Sequence, residues 1–313
     1  MKDFLKIIIK FSIASGLIYW LVKSDKLSLK ELKLSLESPM IPLFGVIALI
    51  GICLIAAFRW RIILSTKTDK ALPMKNIFTA NWIGSFFNTV VPGSVSGDIL
   101  KIFYVQNLCA KLTKKFLLFS VFIDRLVGLF ALITIGAISG IYNLLTQDHI
   151  NQDLLMLIIF NILVTLGVAL FFILLYVDSS FLNSTLKKIS TRLQDYWQRA
   201  ITHKKNLMKM YLISFLVQGL VITIFWLVSK DFAQGNFNLL GAYTVIPFGF
   251  IIMAIPIAPA GIGVGHFAFQ KLFAFLDITN GASLFNIYFC VFVIANLTGV
   301  IPYILYRKST IQK

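Results

Sequence analysis

Residues 81–101 read NWIGSFFNTVVPGSVSGDILK, an apolar helical pattern that stops at Pro92-Gly93 and resumes at Gly97-Asp98. Proline removes a backbone donor and glycine widens the allowed dihedral angles, so a continuous helix through this point is unfavourable. At membrane depth, a broken helix is tolerated only inside protein or along a watery cavity, because hydrocarbon cannot satisfy the freed backbone groups. We therefore predict that this break marks a functional site.

A second interruption lies far downstream, at residues 256–266, which read PIAPAGIGVGH. Locally, the pattern from Pro259 to Gly265 parallels the pattern from Pro92 to Gly97. Paired glycine and proline interruptions in corresponding positions of two halves indicate the central site of a transporter. We predict that the tips of the two broken segments meet near the middle of the membrane and form one site.

The composition indicates an all-α polytopic membrane protein. Hydrophobic residues make up 58 % of the chain and charged residues 13 %, against roughly half and a quarter in soluble domains. Several apolar runs of about 20 residues are long enough to cross a membrane, and they lack the alternation of a β-barrel. The net charge of +16 is explained by cytoplasmic lysines and arginines and by attraction to anionic lipids, so we predict no nucleic-acid partner.

The sequence contains no pattern typical of an enzyme or of a cofactor site. Cys53, Cys109 and Cys290 are isolated, which predicts neither disulfides nor a metal centre. The glycines at 261, 263 and 265 superficially resemble a dinucleotide loop, but no strand precedes them and no acidic partner follows about 20 residues later. We expect no cofactor, no metal and no catalytic residues.

We predict one membrane domain over residues 1–313, with about six full transmembrane helices and two re-entrant helical hairpins. The full helices are predicted at 5–22, 42–64, 116–145, 154–177, 210–228 and 284–306. The first is expected to stay uncleaved, because no Ala-x-Ala site follows it. The first hairpin comprises 76–91 and the helix restarting at Gly97, and the second comprises 239–258 and 267–276.

Charge distribution predicts the orientation in the membrane. With both termini in the cytoplasm of a cell-membrane protein, most of the 29 lysines and arginines lie on the cytoplasmic side, although four lysines between 23 and 33 do not. Residues 41–145 and 210–306 then form two repeats of opposite orientation, the arrangement of many secondary transporters. Residues 154–209 supply a linking helix and a basic cytoplasmic segment.

Among the ionisable residues of the predicted membrane segments we single out Asp98, Lys101, Asp124 and Arg125. A charge in the bilayer costs at least about 2.5–3.5 kcal/mol, so such groups tend to pair, face a cavity and serve function. We predict an Asp98–Arg125 pair with Lys101 facing Asp124. A purely structural lock between hairpin and helix is the alternative interpretation.

A lipid phosphate is the ligand that these groups favour. Arg125 and Lys101 supply positive charge, and helices starting at Gly97 and Gly265 would offer backbone donors. Asn81 and Asn88, seven residues apart, are predicted on one face of the first hairpin.

Three further polar residues receive structural interpretations. His266 is interpreted as a satisfied polar group rather than a proton relay. Arg59 and Arg61 are expected to reach the lipid head groups from the end of their helix.

Three motifs in order resemble the membrane domain of the lysylphosphatidylglycerol synthase (multiple peptide resistance factor) family, which is flippase-like. They are Asn88-x-x-x-Pro92-Gly93-x-x-x-Gly97-Asp98-x-x-Lys101, Asp124-Arg125-x-x-Gly128 and Pro256-x-x-Pro259-x-Gly261-x-Gly263-Val264-Gly265. The family usually has Arg at the position of Lys101 and Glu at those of Asp124 and His266. The resemblance and the residues together predict a substrate site at Asn81, Asn88, Pro92, Gly93, Ser94, Gly97, Asp98, Lys101, Asp124, Arg125, Pro259, Gly261, Gly263, Gly265 and His266.

The resemblance implies lipid translocation rather than lipid synthesis, because this sequence contains no aminoacyl-transfer domain. We expect a flippase-like transporter that moves an anionic phospholipid or a polyprenyl-phosphate lipid across the cytoplasmic membrane. A homo-oligomer and a lipid-modifying enzyme are the protein partners we consider. One alternative is an accessory subunit or enzyme of lipid-linked glycan or aminoacyl-lipid metabolism, and another is an ion-coupled transporter of small solutes.

Overall fold

The computed structural model describes residues 40–68, 72–91, 96–106, 108–109, 111–147, 150–176, 204–254 and 264–305. Regular structure in these ranges is helical, which confirms the predicted all-α class. By length and composition, five of the described helical segments can cross a membrane: Met40–Ser65, Lys114–Thr146, Gln152–Leu170, Asn206–Phe232 and Gly281–Leu305. The chain is therefore a multi-pass α-helical membrane protein.

Ten described α-helices follow one another along the chain. They are α1 (Met40–Ser65), α2 (Met74–Val90), α3 (Ser96–Gln106), α4 (Lys114–Thr146), α5 (Gln152–Tyr176), α6 (Lys204–Ser229), α7 (Leu239–Ala254), α8 (Val264–Ala274), α9 (Gly281–Leu297) and α10 (Val300–Leu305). A 3-10 turn at Lys230–Phe232 follows α6.

Two predicted helices differ from the observed ones. Helix α6 begins at Lys204 rather than at Met210, so the end of the predicted basic segment is helical, in keeping with the good helix propensity of lysine. The last predicted helix is divided into α9 and α10, and at the break Gly299 lies so close to α2 that a Cβ atom would collide with the Trp82 carbonyl oxygen. The predicted helix 5–22, both hairpin tips and most of the basic segment lie outside the described residues.

The helices pack around a central contact between α1 and α6. Helix α4 contacts α6 and α7, and in the same way α9 contacts α1 and α2. The short helices form two pairs, α2 with α3 and α7 with α8. Helix α5 packs on α4, where Ile158 lies against Gly140.

A proline inside α7 is accommodated by a side chain of α4. Pro247 has no backbone N–H, so it cannot donate to the carbonyl of Tyr243 one turn earlier. The Ser139 hydroxyl donates to that carbonyl oxygen at 2.9 Å, and Asn143 Nδ2 donates to Thr244 Oγ1 at 2.6 Å. These polar contacts fix α7 on α4.

Candidate functional site

The start of α3 is held against α2 by a close backbone approach. A Cβ atom built on Gly97 would collide with the carbonyl oxygen of Gly84, so only glycine fits there without a shift of the backbone. The Gly97 amide donates to Asn88 Oδ1 at 2.8 Å, and Ser96 Oγ donates to the Phe87 carbonyl oxygen at 3.1 Å. The Gly97 amide, which is predicted to donate a hydrogen bond to a phosphate, therefore donates to Asn88 instead.

Asp98 lies in the first turn of α3 and binds two cations at once. Its Oδ1 is 2.9 Å from Lys101 Nζ, and its Oδ2 accepts from Arg125 Nε and Nη2, both at 2.6 Å. Asp98 and Lys101 are each 5 % exposed. The Lys101 ammonium also lies 4.7 Å from the ring centre of Trp60, a cation–π contact. The structure therefore brings Asp98 and Arg125 together as the sequence predicted.

The predicted contact between Lys101 and Asp124 is wrong. Asp124 accepts from Arg59 instead, with Nε on Oδ1 at 2.7 Å and Nη2 on Oδ2 at 2.9 Å. The reason is helical geometry: successive residues point about 100° apart, so Asp124 and Arg125 meet different neighbours. The prediction that Arg59 reaches the head groups is also wrong, because Arg59 is buried and donates further to Ser214 Oγ at 2.7 Å.

Gly128, the last residue of the second motif, makes room for this arrangement. A Cβ atom there would lie 3.3 Å from Gln218 Nε2 and 3.6 Å from Arg59 Nη1. Gln218 Nε2 donates to the Gly128 carbonyl oxygen at 3.4 Å. The glycine thus lets α1 and α6 approach α4 next to the buried guanidinium.

Arg59, Asp98, Lys101, Asp124 and Arg125 form what we call the charged cluster. It contains three cations and two carboxylates, which leaves one positive charge in excess among these described residues. Buried ion pairs are stable only when their remaining donors and acceptors are satisfied, and Ser214 and Trp60 contribute to that here.

A cavity of about 550 Å³ lies beside the charged cluster. Helices α1, α2, α4, α6, α7 and α9 all contribute to its walls. Its polar lining residues are Cys53, Arg59, Asn81, Ser85, Asp124, Arg125, Gln218 and Asn296. Its apolar lining includes Leu49, Ile52, Phe122, Leu126, Leu132, Val221, Phe250, Met253 and Phe292. The cavity thus combines charged groups with hydrocarbon-like walls.

Two predicted site residues in α2 have different neighbours. Asn81 lines the cavity and donates from Nδ2 to the Cys53 carbonyl oxygen at 3.2 Å. Asn88 is outside the lining and holds Gly97. Asn296 of α9 reaches the same helix, since its Nδ2 donates to Thr89 Oγ1 at 3.0 Å.

The two described residues of the predicted second half-site, Gly265 and His266, do not belong to the charged cluster. The His266 ring lies edge-on to Phe285 at 4.9 Å and is not part of the cavity lining. Gly265 also packs against Phe285, since a Cβ there would lie 2.7 Å from the ring. Pro92, Gly93, Ser94, Pro259, Gly261 and Gly263 lie outside the described residues. Across the described ranges, no group of three or more His, Cys, Asp or Glu could hold a metal ion.

Sequence reasoning missed Arg59, Ser214 and Gln218 as parts of the site. The pairing rule makes Arg59 a candidate partner of Asp124, because a buried carboxylate needs a cation of its own, but the rule does not choose between Arg59 and Lys101. Ser214 and Gln218 lie one turn apart on α6 and carry no sequence signal that distinguishes them from ordinary polar contacts between helices.

Comparison with known proteins agrees with the motifs. Residues 7–301 match the family model described as the lysylphosphatidylglycerol synthase TM region. No curated protein matches the chain.

Proposed function

Since the chain belongs to the lysylphosphatidylglycerol synthase transmembrane-region family, we propose that it is a flippase-like transporter. It translocates an anionic phospholipid or a polyprenyl-phosphate lipid across the cytoplasmic membrane. Membrane lipids are its ligands, and the chain itself carries out no covalent chemistry on them.

The observation that carries this proposal is the cavity beside the charged cluster. An anionic lipid needs a positive group for its phosphate and apolar walls for the start of its chains. Arg125 supplies the first, because its side chain is 36 % exposed and lines the cavity. Phe122, Leu126 and Phe292 supply part of the second.

The lengths of the short helices support two re-entrant hairpins. Helices α2 and α3 have 17 and 11 residues, and α7 and α8 have 16 and 11. At 1.5 Å per residue, the 11-residue helices reach about 16 Å, roughly half of a ~30 Å hydrocarbon core. Each pair would therefore enter and return on the same side of the membrane.

The pattern of helix contacts supports inverted repeats over 41–145 and 210–306. Exchanging α1 with α6, α2 with α7, α3 with α8 and α4 with α9 converts the α4–α7 contact into the α9–α2 contact. It also converts the α4–α6 contact into the α9–α1 contact. A transporter built this way can expose its cavity alternately by rocking one repeat against the other. The charge distribution supports cytoplasmic termini for this arrangement.

Translocation of labelled lipids in proteoliposomes tests the proposal. The wild type is expected to move an anionic phospholipid or polyprenyl phosphate, and Arg125→Gln is expected to slow this at least about tenfold, because a charge-assisted contact is lost. Lys271→Ala is the matched control, since Lys271 is an exposed cation outside the cavity lining and its loss should leave the rate unchanged. Folded wild-type protein that moves none of the lipids would contradict transport and direct the search to a partner enzyme of lipid metabolism.

A further inference from the structure

We propose that Asp98 is an internal competitor for Arg125: the phosphate of an anionic lipid in the cavity takes over Arg125, while Asp98 stays on Lys101. This inference rests on the proposed function and assigns a role to the site that lipid transport alone does not require. In this proposal the ligand breaks the Asp98–Arg125 pair, which we call the exchangeable pair. The Arg59–Asp124 pair stays intact when the ligand binds, and we call it the permanent pair.

The two arginines of the charged cluster are bound in different ways. Arg59 forms two parallel hydrogen bonds with the two oxygens of Asp124 and a third with Ser214, and its side chain is 8 % exposed. Arg125 directs both Nε and Nη2 to a single oxygen of Asp98, and its side chain is 36 % exposed. The first geometry is the strong bidentate form, whereas the second leaves Arg125 accessible from the cavity.

Asp98 approaches Arg125 from outside the cavity. Arg125 belongs to the lining, whereas Asp98 and Lys101 do not. A ligand in the cavity therefore meets the guanidinium from one side and the carboxylate holds it from another. The two anions compete because the phosphate draws the guanidinium towards the cavity and away from Oδ2 of Asp98.

Lys101 lowers the free-energy cost of this exchange for the buried Asp98 carboxylate. Removing the only partner of a buried charge is strongly unfavourable. Asp98 has a second partner, because its Oδ1 is 2.9 Å from Lys101 Nζ, and that ammonium is itself held over the Trp60 ring. Asp98 therefore keeps an ion pair when Arg125 turns to the phosphate.

The charge of the cluster identifies the class of ligand. The excess of one positive charge among the five described residues is neutralised by a phosphate diester, which carries one negative charge. A zwitterionic head group brings a compensating ammonium and gains less. We infer that the competitor carboxylate selects anionic head groups, because only a net anion can displace it.

A charge-neutral double variant tests the exchange. Asp98→Asn together with Lys101→Met removes one charge of each sign, so the net charge of the cluster stays as in the wild type while the competitor is lost. We would titrate purified full-length protein with dioctanoyl phosphatidylglycerol, dioctanoyl phosphatidylcholine and glycerol 3-phosphate. The double variant is expected to bind the phosphatidylglycerol about tenfold more tightly and the phosphatidylcholine unchanged, because the ligand no longer competes with a charge-assisted pair.

The outcomes separate this inference from the proposed function. Binding of phosphatidylglycerol that needs Arg125 but is equal or weaker in the double variant would overturn the exchange and leave the lipid site standing. No binding by the wild type would overturn both. If the double variant binds glycerol 3-phosphate more tightly by the same factor as phosphatidylglycerol, the site recognises a soluble phosphate, and a lipid as its ligand is overturned.

A measurement on the wild type covers the case in which the variant does not fold. Loss of the Arg125 contact should loosen the start of α3, so amide hydrogen exchange in Ser96–Gln106 should speed up when phosphatidylglycerol is added and not when phosphatidylcholine is added. Unchanged exchange in α3 at saturating phosphatidylglycerol would contradict the displacement of Asp98.

Discussion

The short helices α3 and α8 follow corresponding positions in the two proposed repeats, yet they are attached to their long neighbours by different chemistry. Helix α3 meets α4 through the Asp98–Arg125 ion pair. Helix α8 meets α9 through aromatic rings, with Phe269 and Phe285 stacked at 4.8 Å and 11°. Around them, Phe225 of α6 stacks on Tyr288 at 4.6 Å.

Because of this difference, a charged ligand can alter the attachment of α3 to α4 but not the attachment of α8 to α9. Ion pairs are directional and a ligand of the right sign can replace one partner, whereas stacked rings are held by packing that an anion does not alter. The cavity lining contains both kinds of group, with Arg59, Asp124 and Arg125 as charged residues and Phe250, Tyr288 and Phe289 as aromatic ones. This combination suits the proposed ligand, a lipid with a charged head group and an apolar body.

The glycines of the two short-helix pairs, α2 with α3 and α7 with α8, show the same contrast. Gly84 and Gly97 bring the backbones of α2 and α3 into contact. Gly249 of α7 instead accommodates the ring of Phe269 from α8, because a Cβ there would overlap that ring. The α2–α3 pair is held by contact of backbone with backbone, and the α7–α8 pair by contact of a ring with a glycine.

The largest effect should come from breaking the permanent pair of the charged cluster. Arg59→Ala leaves the Asp124 carboxylate buried without its cation, which should lower the free energy of unfolding by about 3–5 kcal/mol. Unfolding in detergent, followed by circular dichroism against denaturant, would measure it. Arg61→Ala is the matched control, since Arg61 is half-buried and donates to the Leu72 carbonyl oxygen.

A companion variant distinguishes charge from packing at this position. Arg59→Met with Asp124→Leu replaces both charges with apolar groups of similar length and should recover most of the stability. If the double variant is as unstable as Arg59→Ala, packing volume rather than the unpaired carboxylate explains the loss.

Much of the fold was predictable from sequence because long apolar runs specify membrane helices directly. Helix α4 was predicted at 116–145 and is observed at Lys114–Thr146. The division between α9 and α10 coincides with two local helix breakers, Gly299 and Pro302, which the prediction of one helix at 284–306 did not use. It also coincides with the close contact of Gly299 with α2, which the sequence does not reveal. Propensity gives no information about such contacts between distant helices.

The site was predictable only in part, because the sequence does not show in which direction each side chain points from its helix. Asp98 and Arg125 could be paired because each is a charge in an apolar context at a comparable depth. The partner of Asp124 could not be chosen between Lys101 and Arg59 without knowing how α1, α3 and α4 are rotated. Asp124 and Arg125 are adjacent on α4 but contact different helices, because Asp124 pairs with α1 and Arg125 pairs with α3.

An intermediate effect should distinguish the α2–α3 pair from the α7–α8 pair. Gly97→Ala forces α3 away from α2, because the obstructing atom is a backbone oxygen, and should lower the free energy of unfolding by about 1–3 kcal/mol. Gly249→Ala should cost less than Gly97→Ala, since a ring can be displaced more easily than backbone. The matched control is Gly51→Ala, where a Cβ has nothing within 4 Å and helix propensity should slightly increase stability. Equal losses of stability in Gly97→Ala and Gly249→Ala would contradict the contrast between the two pairs.

The smallest effect compares two side chains that hold the start of a helix, one in each region. Asn88 accepts from the Gly97 amide in the charged region, and Gln270 Oε1 accepts from the Ala282 amide at the start of α9, at 2.9 Å. Asn88→Ala and Gln270→Ala should each lower the free energy of unfolding by about 1 kcal/mol, the usual value of a helix cap. Only Asn88→Ala should also change the affinity for dioctanoyl phosphatidylglycerol, because it releases the turn that carries Asp98 and so weakens the competitor for Arg125. Tighter binding in Asn88→Ala with none in Gln270→Ala would place ligand control in the charged region, whereas an equal change in both would mean that general loosening of the bundle, not Asp98, sets the affinity.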